Sequence, residues 1–348
     1  MQALILAGGS GTRFWPLSRR HRPKQLLPFG KSGSLLRQTV ERVIPSVGAD
    51  GIWISTTREL VDAVARELPE LPLERILAEP ASRNTAPAIG WCLTRMRAEV
   101  GDDVVAALHA DHRVADASSF LEALGVAERA ALQGDRVITL GVPPTHPETG
   151  YGYLELGEVL DGATGLRRVT RFTEKPDRET AERFVASGDH VWNAGIFVFR
   201  PSHLLAELER LAPEIGDGLR RIAESPGDLD RLYLDLPSRS IDHAVMEKLD
   251  DLATVPLDCG WSDLGSWDAL AIVLPTDEAG NATRGDVLAI DSAGCLLWAE
   301  EGQIAALGLR DLVVVRTGDT VLVAPRNRSQ DVRRIVEELR ERGREDLL

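Results

Sequence analysis

Cysteine is scarce in this chain: Cys92, Cys259 and Cys295 are the only three in 348 residues, an odd number set far apart. That excludes a disulfide framework and a cysteine zinc site, and it fits a reducing cytoplasm. No apolar run approaches 18 residues, so no membrane-spanning helix is expected, and Met1 to Ala7 reads as a first strand rather than a secretory leader. Positive charge is in deficit, at a formal −14, which argues against nucleic-acid and membrane partners. Lysine is rarer still: Lys24, Lys31, Lys175 and Lys248 are the only four, and arginine supplies the remaining cations. Two familiar phosphate motifs are also missing. No GxxxxGK[ST] string occurs at the glycine cluster, and Gly9-Ser10-Gly11 is not followed by the third glycine of GxGxxG.

What is present begins at Leu4. An apolar run to Ala7 is long enough for one buried strand, and Gly8, Gly9, Ser10, Gly11, Thr12 and Arg13 follow. Three glycines in four positions allow a backbone turn whose N–H groups form a concave anion site. Arg13, Arg19, Arg20, Arg22 and Lys24 come within a dozen residues, against the acidic balance of the chain. The stretch reads as a strand, an anion-cradling loop and cations aimed at a polyphosphate.

Helical and strand patterns alternate over the next hundred residues. Helices are expected at 34–44 (stopped by Pro45), 58–68 and 86–100, and strands at 51–56, 76–78 and 104–109. This alternation predicts an α/β domain with a mostly parallel sheet, in which ligands bind beyond the carboxyl ends of the strands. A helix at 118–133 and a strand at 136–141 continue the pattern, and further strands are expected at 166–177 and 191–200. Beyond Pro275, short apolar runs at 286–291, 295–299, 303–308, 311–316 and 320–324 are separated by Gly and Asp turns. They suggest a small β unit resembling a short β-helix, closed by an amphipathic helix over 329–342. The expected division is 1–275 for the catalytic domain and 276–348 for the β unit.

Five constellations accompany the glycine loop. Ala78 to Gly90 is polar and then opens a helix that Asn84 or Thr85 would cap; Glu79 is suited to accept from the paired N–H groups of guanine, with Asn84 beside it. Asp111 ends a strand as either a turn residue or a ligand for a hard cation. Gly150-Tyr151-Gly152, by itself, reads as a tight strand entry. Glu174-Lys175-Pro176 offers a surface ion pair, or a hydroxyl acceptor beside a mobile phosphate-holding cation. Asp263 is either an N-terminal helix charge or a second metal carboxylate.

The strings LAGGSGTRFWPLS…PKQ, EPASRNTAPAI, LHADH, GYGYLE, FTEKP, VWNAGIF, SIDHAVMEK and CGWSDLGSW occur in an order that closely resembles the sugar-nucleotide pyrophosphorylase family, and within it the mannose-1-phosphate guanylyltransferases. Phe14 stands where the family usually has Leu, and His109 where it has Pro. The resemblance implies a Rossmann-like nucleotidyltransferase domain that joins GTP and mannose 1-phosphate into GDP-mannose and pyrophosphate, with Mg²⁺ as cofactor. It implies nucleotide contacts from Leu6, Ala7, Gly8, Gly9, Gly11, Thr12, Glu79, Asn84 and Thr85. Gly150, Tyr151, Gly152, Glu174, Lys175 and Asn193 would hold the sugar phosphate. Asp111 and Asp263 would hold the metal, and Arg13, Lys24 and Lys175 would serve catalysis. No cupin-like extension follows, so guanylyl transfer alone is expected, from a cytoplasmic homodimer. A guanylyltransferase for another sugar 1-phosphate would keep every motif, and a catalytically silent regulatory homologue is the reading from another class.

Overall fold

In a computed structural model of the chain, residues 1–9, 11–29 and 33–348 are described; Ser10 of the glycine loop and Lys31 lie outside them. The contacts group into two compact units. One comprises Met1–Gly8, Arg37–Ala110 and Val114–Trp261, and the other Gly9–Leu36, Asp111–Arg113 and Ser262–Leu348.

The first unit is built on a nine-stranded sheet in the order β3-β2-β1-β4-β8-β5-β9-β7-β6. Its strands are β1 (Gln2–Leu6), β2 (Ile52–Thr57), β3 (Ile76–Glu79), β4 (Val105–His109), β5 (Ile138–Val142), β6 (Gly152–Asp161), β7 (Leu166–Glu174), β8 (His190–Phe199) and β9 (Ala253–Pro256). The four edge strands from β3 to β4 are mutually parallel, as the early helix–strand alternation requires. Beyond them β8 runs antiparallel to both β4 and β5, which makes the sheet as a whole mixed. Helices Thr85–Val100 and Ala117–Gln133 flank it, the second capped by Asp116, whose carboxylate accepts from the N–H groups of Ser118 and Ser119. The core of this unit runs through Leu4, Trp53, Ile89, Phe197 and Tyr233.

Two local expectations are corrected. The first helix spans Leu35–Val47 and carries Pro45 inside it. Proline removes one hydrogen bond near a helix end, where the chain tolerates it, and the helix runs a further half-turn. The segment Ser240 to Lys248, whose spacing of Ile241, Val245 and Met246 predicts a helix, is not one helix: an α-turn at Ile241–Ala244 breaks at Val245 and resumes as a 3₁₀ turn at Met246–Lys248.

In the second unit, β10 (Ala282–Ile290), β11 (Leu296–Leu307) and β12 (Leu312–Arg316) pair in parallel, and β13 (Val321–Pro325) closes the sheet antiparallel. Successive parallel strands joined by tight turns form the β-helix-like unit expected from the spacing. Two of the apolar runs merge into the single strand β11. Its partner β10 shifts register at Gly285, where φ is +81° and a Cβ would lie only 2.0 Å from the Ala299 carbonyl oxygen. The residues after the glycine loop pack here: Phe14, Trp15, Leu27 and Phe29 share a core with Trp267, Trp298, Val315 and Val336. The Phe14 ring lies 5.0 Å from both Phe29 and Trp267, and edge contacts of this kind contribute about 0.5–1.5 kcal/mol each.

Candidate active site

Within the second unit, Lys24 is the organising side chain. Gly11 caps a 3₁₀ turn (Thr12–Phe14) in the left-handed region at φ +60°, and a Cβ there would meet Lys24 Cβ at 2.5 Å and its backbone nitrogen at 2.7 Å. Glycine is therefore what lets the loop close onto Lys24. Ser18 Oγ donates to the Gly11 carbonyl at 2.7 Å and holds the turn. Lys24 follows Pro23 in a second 3₁₀ turn and is buried. Its Nζ donates to Asp111 Oδ2 at 2.8 Å and to the Asp263 carbonyl at 2.5 Å.

Asp111 and Asp263 are brought together by the backbone. Arg113 and Ser262 exchange two N–H···O bonds of 2.8 and 3.0 Å, which ties the two segments side by side. Asp263 Oδ1 accepts from the Gly265 N–H, and Arg13 Nη1 reaches the Gly265 carbonyl at 3.4 Å. Arg13, Lys24, Asp111 and Asp263 thus converge around Gly11 and Thr12. The Lys24 ammonium balances the Asp111 carboxylate, while the Asp263 carboxylate is held by the Gly265 N–H.

The basic string does not act as one cluster. Arg19 donates to the Leu347 carbonyl and to Asp319, and Arg22 pairs with Glu300, so these two are committed to the β unit rather than aimed at phosphate. That corrects the expectation of five converging cations.

Within the first unit, parallel pairing sets Leu6 of β1 beside Ser55 of β2 and His109 of β4, and Thr57 beside Glu79 of β3. The carboxyl ends of these strands therefore gather Leu6, Ala7, Gly8 and Glu79, and a Cβ on Gly8 would lie 3.7 Å from Glu79 Oε1. Glu79 is buried, and accepts from Ser55 Oγ at 2.7 Å and from the Tyr233 hydroxyl at 2.8 Å. Burial raises its carboxyl above the ordinary range, and the two hydrogen bonds oppose that shift. Burial and the Glu79 charge push the Tyr233 hydroxyl far upward, so it stays a donor at any working pH. Neither Ser55 nor Tyr233 was signalled by a motif; only the three-dimensional pairing reveals them. Asn84 is the N-cap of its helix, at φ +67°, and its Oδ1 accepts from the Thr85 N–H. Thr85 Oγ1 accepts from the Ile241 N–H at 2.8 Å, so it fastens the SIDHAVMEK segment to the helix start.

The sugar-side residues also lie in the first unit. Gly152 opens β6 opposite Glu174 of β7, and a Cβ at Gly152 would fall 2.7 Å from Glu174 Oε2. The Gly150 N–H donates to Glu148 Oε1. Glu174 is nearly buried, Lys175 is 58% exposed, and their side chains form an ion pair at 2.5 Å. Tyr151 stacks edgewise between Trp192 and Trp261, each 5.2 Å away, and its carbonyl accepts from the Lys175 N–H. Asn193 is buried on β8, where its Oδ1 accepts from Thr139 Oγ1 and from the Gly195 N–H. Its amide nitrogen is the group left to donate. Asp242 is a further carboxylate of this group, and burial with the charge of Glu174 raises it to about 6.

Comparison with known proteins gives consistent matches. The Nucleotidyl transferase family pattern covers residues 2–279, and that of the MannoseP isomerase/GMP-like beta-helix domain covers 285–339. The chain is 42% identical to the xanthan biosynthesis protein XanB of Xanthomonas campestris pv. campestris (strain B100) over 99% of its own length and 74% of that protein. It is 40% identical to a mannose-1-phosphate guanylyltransferase of Klebsiella pneumoniae with the same coverage. The crystal structure of mannose-1-phosphate geranyltransferase from Thermus thermophilus superposes with a TM-score of 0.89 at 38% identity, over 97% of this chain and 99% of that one.

Proposed function

The chain belongs to the nucleotidyl transferase family, and on that premise we propose that it transfers a guanylyl group from GTP to α-D-mannose 1-phosphate, giving GDP-mannose and pyrophosphate. Relatives near 40% identity over the whole chain, named for this activity, support the reading. The observation that carries the chemistry is the buried Lys24 held between Asp111 and the Asp263 backbone beside the glycine turn.

In this reaction an anionic oxygen of the sugar phosphate attacks the α-phosphorus of GTP. A bond from that oxygen to phosphorus forms as the bond to the β-phosphate oxygen breaks, and the electron pair leaves with pyrophosphate. The attacking oxygen is already ionised, so no protein nucleophile or strong base is needed. The protein's task is to align two anions and offset their charge.

Lys24 and Arg13 supply fixed positive charge to the triphosphate and the leaving group, and the Gly9, Gly11 and Thr12 backbone cradles phosphate oxygens. Asp111 and Asp263 are the residues that would hold Mg²⁺, which when bound lends Lewis-acid neutralisation to the reacting phosphates. Glu79, pinned by Ser55 and Tyr233, keeps lone pairs aimed in one direction, as a reader of the paired guanine N–H groups requires, with Leu6, Ala7, Gly8, Asn84 and Thr85 contributing contacts. Lys175 holds the sugar phosphate, and Gly150, Tyr151, Gly152, Glu174 and Asn193 contact the sugar. The boundary near residue 275 is supported by two family matches that end at 279 and begin at 285. Three buried free cysteines support a cytoplasmic setting.

Asp111→Asn tests the assignment. Turnover of GTP with mannose 1-phosphate should fall at least about a hundredfold while the circular dichroism spectrum and melting cooperativity are retained. Near-normal turnover at ordinary Mg²⁺ removes Asp111 from the reacting centre.

A further inference from the structure

The first unit holds a cavity of about 230 Å³ that none of these residues line. It is bounded by the last turn of the helix Ala117–Gln133, by Gly134 and Arg136 that follow, and by the turn between β6 and β7, with Asp161, Thr164 and Leu166. Two arginines face it. Among the described residues, no hydrogen bond or ion pair engages the guanidinium of Arg129 or of Arg136; Arg129 acts on Asp161, and Arg136 on Asp251, only through space. Gly125 lies beside the Arg129 guanidinium and Gly134 beside that of Arg136, at ordinary contact distances. Gln133 adds an amide donor. Asp161 is the one carboxylate of the lining, and both its oxygens are occupied, Oδ1 by the Ala163 N–H and Oδ2 by the Thr164 hydroxyl.

We propose that this cavity is a second anion site, built for a small phosphate-bearing molecule, and that its occupancy tunes the sugar-binding residues. Two guanidinium forks, an amide and a polar turn are the donor set that phosphate oxygens take. The volume admits phosphate, pyrophosphate or a monosaccharide phosphate.

The strands connect it to the sugar side. β6 and β7 each have one end at the cavity and the other at a residue assigned to the sugar, and β5 pairs with Asn193 on β8. β6 runs from Gly152 to the cavity residue Asp161, and β7 from the cavity residue Leu166 to Glu174. β5 begins two residues after Arg136, and its Thr139 bonds the Asn193 side chain. Ten extended residues of β6 separate the two ends by roughly 30 Å. A ligand that draws Arg129 and Arg136 together pulls on the helix end, on β5 and on the β6–β7 turn at once.

The test uses the whole chain. Inorganic phosphate, pyrophosphate and mannose 1-phosphate are titrated calorimetrically into metal-free protein at fixed ionic strength, for the natural chain and for the Arg129→Gln/Arg136→Gln double variant. Steady-state pyrophosphate release is then measured with and without inorganic phosphate. The natural chain should bind one more anion per chain than the variant, and the anion that binds most tightly identifies the source. That anion should change KM for mannose 1-phosphate by about fivefold or more in the natural chain and leave the variant unmoved, with kcat equal in the two proteins when the anion is absent. Equal stoichiometry in both proteins overturns the site, a result independent of the sugar assignment. An extra bound anion with no change in KM overturns the coupling. Should the double variant fold poorly, Arg129→Gln alone, at an exposed position, gives the same comparison.

Discussion

Lys24→Met removes the ammonium while keeping a chain of similar length. The Asp263 carbonyl loses one hydrogen bond, worth about 1 kcal/mol. Asp111 loses a charge-assisted partner, but its side chain is 33% exposed, so water recovers part of the loss and about 1–2 kcal/mol remains. The expected cost in stability is therefore about 2–3 kcal/mol, a fall of several degrees in Tm for a domain of this size. The catalytic cost should be larger. A buried, pre-aimed cation facing developing phosphate charge contributes about 100- to 1,000-fold in rate. Arg19→Met is the matched control: it removes the same charge five residues earlier, but from a side chain committed to Leu347 and Asp319. Its kcat/KM should stay within about threefold of the natural protein, because the charge removed is already committed away from the glycine turn. Pyrophosphate release and thermal melting on the three proteins decide the matter. Lys24→Met within tenfold of the natural rate, or Arg19→Met losing as much, refutes the division of the basic string.

Two further predictions concern the sugar side. Lys175→Ala should raise KM for mannose 1-phosphate about tenfold or more and leave KM for GTP nearly unchanged; the opposite pattern in initial-rate measurements moves Lys175 to the nucleotide. For Asp242, the folded carboxyl titrates near 6, above its unfolded value. Its ionised form therefore costs stability that appears as pH rises from about 4 through 6. Asp242→Asn should be about 1–3 kcal/mol more stable than the natural chain at pH 7.5 and nearly equal to it at pH 4. Denaturant melts showing the same difference at both values contradict the burial argument.

Local sequence carried the parts of the site that are themselves local. The Gly11 turn, held by Ser18, and the Glu174-Lys175 pair are each fixed by neighbours a few residues away, so their motifs announce them, whereas Lys24 is announced by its motif but held by Asp111 and Asp263 far along the chain. The β unit was legible for the same reason, because turn residues recur at short intervals. Contacts between distant segments were not legible. Tyr233 reaches Glu79 across 154 positions, and no spacing rule predicts that a phenol will hold a carboxylate. Arg19 and Arg22 read as phosphate ligands until Asp319 and Glu300, some 300 and 278 positions later, are seen to engage them. The antiparallel entry of β8 was hidden because a buried strand shows the same apolar run whichever way it pairs.

The most direct measurement is pyrophosphate release by the purified protein with Mg²⁺, crossing GTP and ATP with the 1-phosphates of mannose, glucose and fucose. The account predicts release with GTP and mannose 1-phosphate alone. Release with GTP and a different sugar contradicts the assigned substrate while leaving the phosphate chemistry in place. No release with any pair, from folded protein that still binds GTP, contradicts the catalytic role of Lys24, Asp111 and Asp263.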